Sequence, residues 1–422
     1  MAVRLLQPYA GQAVNTIYQG PDEATLKAIS QADDYIERAS DYASYVRGAV
    51  SGNLQAPVSQ AGFQLRGVEN ITPETMRLWV TARAKLRADG TPARSAWVGD
   101  SKTAGAGAGT GGLLMDGALA KSRPSRAGAL LANAGIPVVA DAFFGTKGLG
   151  SIAAVIAYDP RLSGLSGWGG GVVVLGGSTL QTGNTNPLNF QPSKSVDRVS
   201  VLHRRQSGGA TFTVAKGAES FSVDSNSAAN DLLRTEITFA TKSNSPIIIT
   251  RTGGGSMEIA GLVAWDSAAP GVEISNFGVY GTVSSFHTVS TNPYSPLNAL
   301  AYYAPHLTII NLGTNDLAQS VPLETYIANI RALVNAAKTT SSVILCWPAI
   351  GVNATFGDDA TRAQWRATLR SLAIELGCGF VDEDKLLGGR IASQAAGAFA
   401  DTIHERAWAY DVQADTLSAV IR

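Results

Sequence analysis

The chain of 422 residues has only two cysteines, Cys346 and Cys378, each in an apolar, strand-like run. Two such thiols make neither a metal cluster nor a disulfide framework. They read as buried free thiols and give no argument for an oxidising compartment. No sign of charge is in excess: 33 Lys and Arg meet 33 Asp and Glu, and no basic block stands ready to neutralise a run of phosphates. A nucleic-acid partner is therefore not expected. No apolar run reaches bilayer-spanning length, which excludes membrane insertion, and Met1 to Pro8 lacks the uninterrupted apolar core of a classical signal peptide. Work outside a cell would need some other route. Histidine is scarce as well, with four in the chain, which shortens any search for a general base. The 45% hydrophobic content is enough for sizeable cores, and the length implies about two to four domains.

Residues 1–20 form an arm too small for a core of its own. From Pro21 the pattern becomes helical, with Asp22 and Glu23 suited to a first turn and Ile29, Ala32, Ile36, Ala39, Ala43, Val46 and Val50 at heptad steps. That seam fits a coiled coil and equally a helix packing on its own domain. Residues 51–90 read as a linker followed by a helix opened by Thr72-Pro73-Glu74-Thr75. Over 91–145 a buried strand, Arg94 to Val98, a helical segment to about Asn133 interrupted near Pro124, and a second strand, Ile136 to Ala140, give a β-α-β order that favours a parallel sheet. Residues 146–270 change to short strands separated by Gly, Ser and Asn at sandwich-like spacing, an all-β insertion. The β-α rhythm returns over 271–422.

The strand ending in Trp97-Val98 breaks into Gly99-Asp100-Ser101, an ordinary turn composition that can also present a serine hydroxyl at the open edge of a sheet. A nucleophilic serine needs a neutral imidazole, and that imidazole needs an acceptor on its other nitrogen. Asp401 stands three residues before His404, close enough for both side chains to meet within one turn, whereas Ser200, Ser284 and Tyr303 stand three before His203, His287 and His306. His404 is thus the candidate base. His203 and His306 read as strand-flanking or interface residues, and His287 as a loop histidine. Oxyanion donors are offered after two later strands, by the Asn315 side-chain amide and the Gly281 backbone N–H, with the Ser101 N–H as a third. Gly107-Ala108-Gly109-Thr110-Gly111-Gly112 formally satisfies a dinucleotide pattern, with Asp141 closing the next strand. Its glycines begin well after the strand has ended, so it reads instead as a flexible loop bordering the serine.

Together Gly99 to Ser101, Asn276 to Gly281, Gly313-Thr314-Asn315-Asp316 and Asp401-Thr402-Ile403-His404 resemble, in order, the four blocks of the SGNH branch of the GDSL hydrolase superfamily. The resemblance covers roughly residues 91–150 and 271–422. It implies an α/β fold of three layers, flavodoxin-like, with Ser101 as nucleophile, His404 as base, Asp401 as its orienting acid and Ser101, Gly281 and Asn315 as oxyanion donors, with no metal and no cofactor. Glu405-Arg406 stands where the family often has Pro-Asn, and Ala409 where a glycine is common. The all-β insertion, of sandwich or jelly-roll type, is similar to one in some carbohydrate O-acetyl esterases, where it resembles a carbohydrate-binding module. The N-terminal arm and heptads resemble the virion-anchoring end of a phage tail spike or fibre. These resemblances imply an acetylated polysaccharide as substrate, virion proteins as partners, a homotrimer, and action at the bacterial cell surface from the phage tail. A glycan-binding fibre with an inert hydrolase fold and a lipid or short-chain carboxylesterase are the alternatives.

Overall fold

The computed structural model describes residues 67–351 and 354–422, together with three short strands, β1 (Ala2–Leu5), β2 (Ile17–Gln19) and β3 (Ile36–Arg38), that pair antiparallel in the order β2-β1-β3. Ile36, one of the heptad positions, is thus extended and opposite Leu5, where the heptad spacing predicts a helix. The rest of the expected seam lies outside the described residues.

The chain then alternates through β4 (Val68–Glu69), a helix Arg77–Asp89, β5 (Ala93–Gly99), a helix Arg123–Asn133 and β6 (Val138–Val139). The interruption expected near Pro124 falls at Ser122, which is extended between a 3-10 turn, Leu119–Lys121, and this last helix. Pro124 sits in the first turn, where a missing backbone N–H costs nothing and the fixed φ helps. Eleven strands follow: β7 (Asp141–Phe144), β8 (Leu162–Ser163), β9 (Gly169–Val174), β10 (Gly177–Thr182), β11 (Leu188–Phe190) and β12 (Val196–Arg205), then β13 (Ala210–Lys216), β14 (Glu219–Asp224), β15 (Asp231–Ser243), β16 (Ile247–Gly254) and β17 (Met257–Trp265). Alternation resumes with β18 (Val272–Gly278), β19 (Leu307–Asn311), β20 (Ser342–Trp347) and β21 (Gly379–Asp382), and the helices Pro296–Tyr303, Leu323–Lys338 and Asp359–Glu375 connect them. The helix Ala407–Ile421 ends the chain.

One sheet runs β4-β21-β20-β19-β5-β18-β6, parallel throughout except for β4 at the edge. Residues alternate between its faces because strand side chains have a period of two. On β5, Ala93 and Trp97 face the helices Arg77–Asp89, Arg123–Asn133 and Ala407–Ile421, through Trp79, Leu131 and Leu417. Ala96 and Val98 face the other layer, where Leu300, Leu333 and Leu369 come from the three connecting helices. Three layers result, in the expected α/β class.

The strands β7 to β17 form two antiparallel sheets, β15-β12-β17-β10-β9 with β7 also paired to β17, and β14-β13-β16-β11-β8. Phe190, Val201, Phe212, Ile249 and Ile259 are fully buried in the cluster that includes both sheets. Asp141–Phe144, read from sequence as belonging to the first hydrolase segment, pairs with β17, so the chain enters the all-β unit a few residues earlier than expected. The two units share a core. Phe144, Val174 and Leu202 join Phe277, Leu300 and Tyr303 in one buried cluster, and the Phe144 and Phe277 ring centroids are 4.6 Å apart. Among the described residues, no helix is long and apolar enough to cross a membrane, and no group of His, Cys, Asp and Glu is arranged to hold a metal. Cys346 lies on β20 and Cys378 just before β21; both are free and buried, and burial pushes both thiols up, Cys378 to about 11.

Candidate active site

β18, β5 and β19 are neighbours in the sheet, and their carboxyl ends deliver Gly281, Ser101 and Asn315 to one edge. At the end of β5 the turn is tight: a Cβ on Gly99 would lie 2.1 Å from Thr103 Oγ1 and 2.6 Å from the Asn311 carbonyl. Asp100 then caps a short helix, Ser101–Ala104, by accepting the Lys102 N–H at 2.9 Å. Ser101 is the first residue of that helix.

The Ser101 hydroxyl lies 2.9 Å from His404 Nε2, and His404 Nδ1 lies 2.7 Å from Asp401 Oδ2. A carboxylate only accepts, so Nδ1 carries the ring proton of the neutral imidazole and Nε2 is left to accept from the serine. Asp401 is fixed in turn: the N–H groups of Ile403 and His404 donate to its Oδ1 at 2.7 and 2.6 Å. Burial alone would push the Asp401 carboxyl up. These hydrogen bonds and the His404 ring outweigh it and hold the carboxyl below the usual value, so it stays ionised. Ser101 and His404 are buried, whereas the Asp401 side chain is 39% exposed.

The second and third blocks close on the same place. The Val279 N–H donates to the Gly99 carbonyl at 2.9 Å, and the Tyr280 ring stacks on His404 with centroids 5.9 Å apart. Burial, with the Asp401 carboxylate nearby, pushes the Tyr280 phenol up. Gly281 follows at φ +73°, a conformation that favours glycine. The Asn315 amide donates to the Thr282 carbonyl at 2.8 Å, which ties it to the Gly281 turn and uses one of its two amide protons. Asp316 accepts from the Ser284 N–H and hydroxyl and so fixes the same loop from beneath. Tyr280 carries no signal in the sequence beyond its place inside the second block.

The glycine run is not the flexible loop that its composition suggests. Gly105 and Ala106 N–H groups both donate to the Ser101 carbonyl at 2.9 Å, Gly107 and Gly109 N–H groups to Leu114, and Tyr410 Oη to the Ala106 carbonyl at 2.7 Å. Gly107 has φ +91°, and a Cβ there would lie 2.3 Å from the Glu405 carbonyl and 2.8 Å from His404 Cβ. The run therefore packs against His404. Asp141, its would-be partner in a dinucleotide pattern, accepts from Ser193 and pairs with Arg161.

Next to Ser101 and His404 lies a group of buried charges that the sequence alone does not reveal. Lys102 pairs with Glu405 at 3.0 Å, and Arg123 pairs with Glu383 while also donating to Thr103 Oγ1 and Asn311 Oδ1. Asp100 is buried beside them, and burial pushes its carboxyl up to about 7. The signal available in sequence is the charged residue directly after both Ser101 and His404.

The other histidines stay outside this group. His203 is buried on β12, with Nε2 2.9 Å from Thr235 Oγ1, and burial pushes it down to about 4. His287 ends a short buried helix, Ser284–His287, and is no loop residue; burial takes it to about 3. His306 Nδ1 accepts the Arg94 N–H at 3.0 Å at the start of β19. A separate cavity of about 360 Å³ lies where the all-β unit meets the helix Arg123–Asn133, and none of Ser101, Asp401 and His404 lines it.

Residues 249–412 match the GDSL-like Lipase/Acylhydrolase family; that span holds Gly281, Asn315, Asp401 and His404 and leaves Ser101 outside. No curated protein sequence matches the chain. The solved structure of a peptidoglycan O-acetylesterase has the same fold, with a TM-score of 0.63 at 16% identity over 83% of this chain and 97% of that one. A family two carbohydrate esterase from Clostridium thermocellum, solved with a cello-oligosaccharide, aligns at a TM-score of 0.29 and 11% identity over 66% of this chain and 97% of its own. An acetylxylan esterase from Geobacillus stearothermophilus aligns at 0.30 and 18% over 36% and 73%. At such scores neither bears on the fold.

Proposed function

We propose that this chain is a serine esterase that removes O-acetyl groups from a polysaccharide. The observation that carries the reading is the unbroken relay Asp401–His404–Ser101, with each link at hydrogen-bond distance in the order acyl transfer requires. In this reading Ser101 Oγ attacks the acetyl carbonyl carbon while its proton passes to His404 Nε2. The oxyanion is met by the N–H groups of Ser101 and Gly281 and by the Asn315 amide. His404 then returns the proton to the departing sugar hydroxyl, leaving acetyl on Ser101. A water molecule, deprotonated by the same nitrogen, releases acetate and restores the serine. Asp401 stays ionised throughout and stabilises the imidazolium. No step calls on a metal or cofactor.

The glycan part of the reading is supported by the shared fold with a peptidoglycan O-acetylesterase and by the two-sheet unit packed beside the catalytic unit. We extend the proposal to a bacterial surface polysaccharide, reached as part of a phage tail by a homotrimer anchored to virion proteins through residues 1–50. The short N-terminal arm, residues 1–20, supports this extension, which does not rest on the heptad seam because Ile36 pairs in a strand; sedimentation at the mass of three chains is its test. Acetate release from a panel of O-acetylated bacterial glycans tests the substrate class. The expected result is acetate from at least one glycan, none from the same glycan after alkaline deacetylation and none with Ser101→Ala. Glycan binding with no release would point to an inert fibre protein, and a preference for long acyl chains to a lipid esterase.

A further inference from the structure

The residue directly after the nucleophile and the residue directly after the base are both charged, and both are sealed from water. Lys102 and Glu405 side chains are 0% exposed, with Nζ 3.0 Å from Oε1. The ammonium also donates to the Ala349 carbonyl at 2.7 Å and lies 5.4 Å from the Phe399 ring centroid. Glu405 is held on its own side: its backbone forms an antiparallel bridge with Phe399, its carbonyl occupies the space a Cβ on Gly107 would need, and Gln413 Nε2 stands 3.5 Å from Oε1. Asp100 Oδ2 has no hydrogen-bond partner among the described residues, and the Tyr410 phenol lies beside the Glu405 carboxylate. Buried acids, Asp100, Glu383, Asp384 and Glu405, outnumber the two buried cations, Lys102 and Arg123, around this pair.

A buried ion pair is a poor way to gain net stability, because desolvating two charges offsets most of their attraction, and an apolar pair of like volume would pack as well. What such a pair supplies is a fixed separation. The segments it joins are the two that must meet for chemistry, and they lie 303 residues apart in the chain. A displacement of about 1 Å between reacting groups is enough to cost roughly a hundredfold in rate. We propose that the Lys102–Glu405 pair is a positioning clamp that sets the Ser101–His404 separation, with both residues acting through their neighbours and neither touching substrate. This rests on the esterase reading for its rate consequence, though not for its geometry.

The test is the double variant Lys102→Met/Glu405→Met, which removes both charges at similar volume. The clamp predicts a melting temperature within a few degrees of wild type, a kcat on p-nitrophenyl acetate lowered by about 10- to 100-fold, and a KM within about twofold. Wild-type kcat in the folded double variant would overturn it. Should the double variant not fold, Glu405→Asp, which keeps the charge and shortens the reach by one methylene, is expected to lower kcat at unchanged KM; wild-type kcat there would equally overturn the clamp. Crystal structures of the folded variants decide the matter without any turnover: the Ser101 Oγ to His404 Nε2 separation should widen beyond hydrogen-bond reach, and a separation still at 2.9 Å contradicts the clamp. If Ser101→Ala turns over as wild type does, the esterase reading fails, and the separation still decides the clamp.

Discussion

At Asp401 two opposing effects meet in one side chain. The carboxylate fixes the His404 tautomer, yet it is 39% exposed, so water competes for its charge. Asp401→Asn should therefore lower kcat on the order of 10³-fold, somewhat less than the roughly 10⁴-fold expected at a fully buried triad acid. Its folded carboxyl is held low, so its contribution to stability is present above the ordinary value of 3.8 and is lost as pH falls through the lower folded value. Asp100 behaves in the opposite sense. Burial raises its folded carboxyl from 3.8 to about 7, so the protonated form is favoured in the fold; its contribution is full below pH 3.8 and is lost as pH rises to about 7. Asp100→Asn keeps the acceptor for the Lys102 N–H and abolishes that titration. Chemical denaturation of both proteins should show the variant gaining on wild type between pH 4 and 7; a constant difference across that range would remove the argument. Asn315→Ala should lower kcat by about 10²- to 10³-fold with little change in KM, measured on p-nitrophenyl acetate.

At the scale of the element, what matters is how closely backbone segments approach around the triad. Gly107 and Gly112 belong to one glycine run, yet a Cβ at Gly107 would strike the Glu405 carbonyl at a left-handed φ, whereas one at Gly112 would meet nothing within 4 Å. Gly107→Ala should cost about 2 kcal/mol or more and lower kcat, while Gly112→Ala should stay within about 0.5 kcal/mol of wild type in stability. Thermal melts and turnover of the pair check this. The contrast also shows where sequence reading stops. The spacing of Asp401 and His404 is local, so their contact is legible in the residue order alone, as is the strand that delivers Ser101. The Gly107 contact joins residues almost 300 positions apart, and no periodicity records it; composition alone points to a flexible loop. His287 escapes the sequence for a similar reason, since a four-residue helix has too few positions to show a period. Lys102 and Glu405 are visible as charges, but a charge in sequence is by default a solvated one, and only the packing shows them sealed.

At the scale of the whole molecule, the all-β unit and the α/β unit share the buried cluster around Phe144, Phe277 and Tyr303, and Arg234 on β15 pairs with Glu273 on β18 at 3.3 Å. Units joined in this way should unfold together. Calorimetry should give one transition for residues 67–422, and Phe144→Ala should lower stability by about 3–5 kcal/mol without splitting it; two separated transitions would mean that the shared core does not couple them. The change from β-α rhythm to short strands is plain in the sequence because strand and helix periods differ. The entry at Asp141 is not, because an apolar strand reads the same whether it joins a parallel or an antiparallel sheet. The proposed chemistry stands on one hydroxyl. The most direct measurement compares wild type with Ser101→Ala on p-nitrophenyl acetate, with both proteins shown to be folded by circular dichroism. A serine mechanism predicts that the variant loses on the order of 10⁴-fold or more in kcat; turnover equal to that of wild type would contradict it.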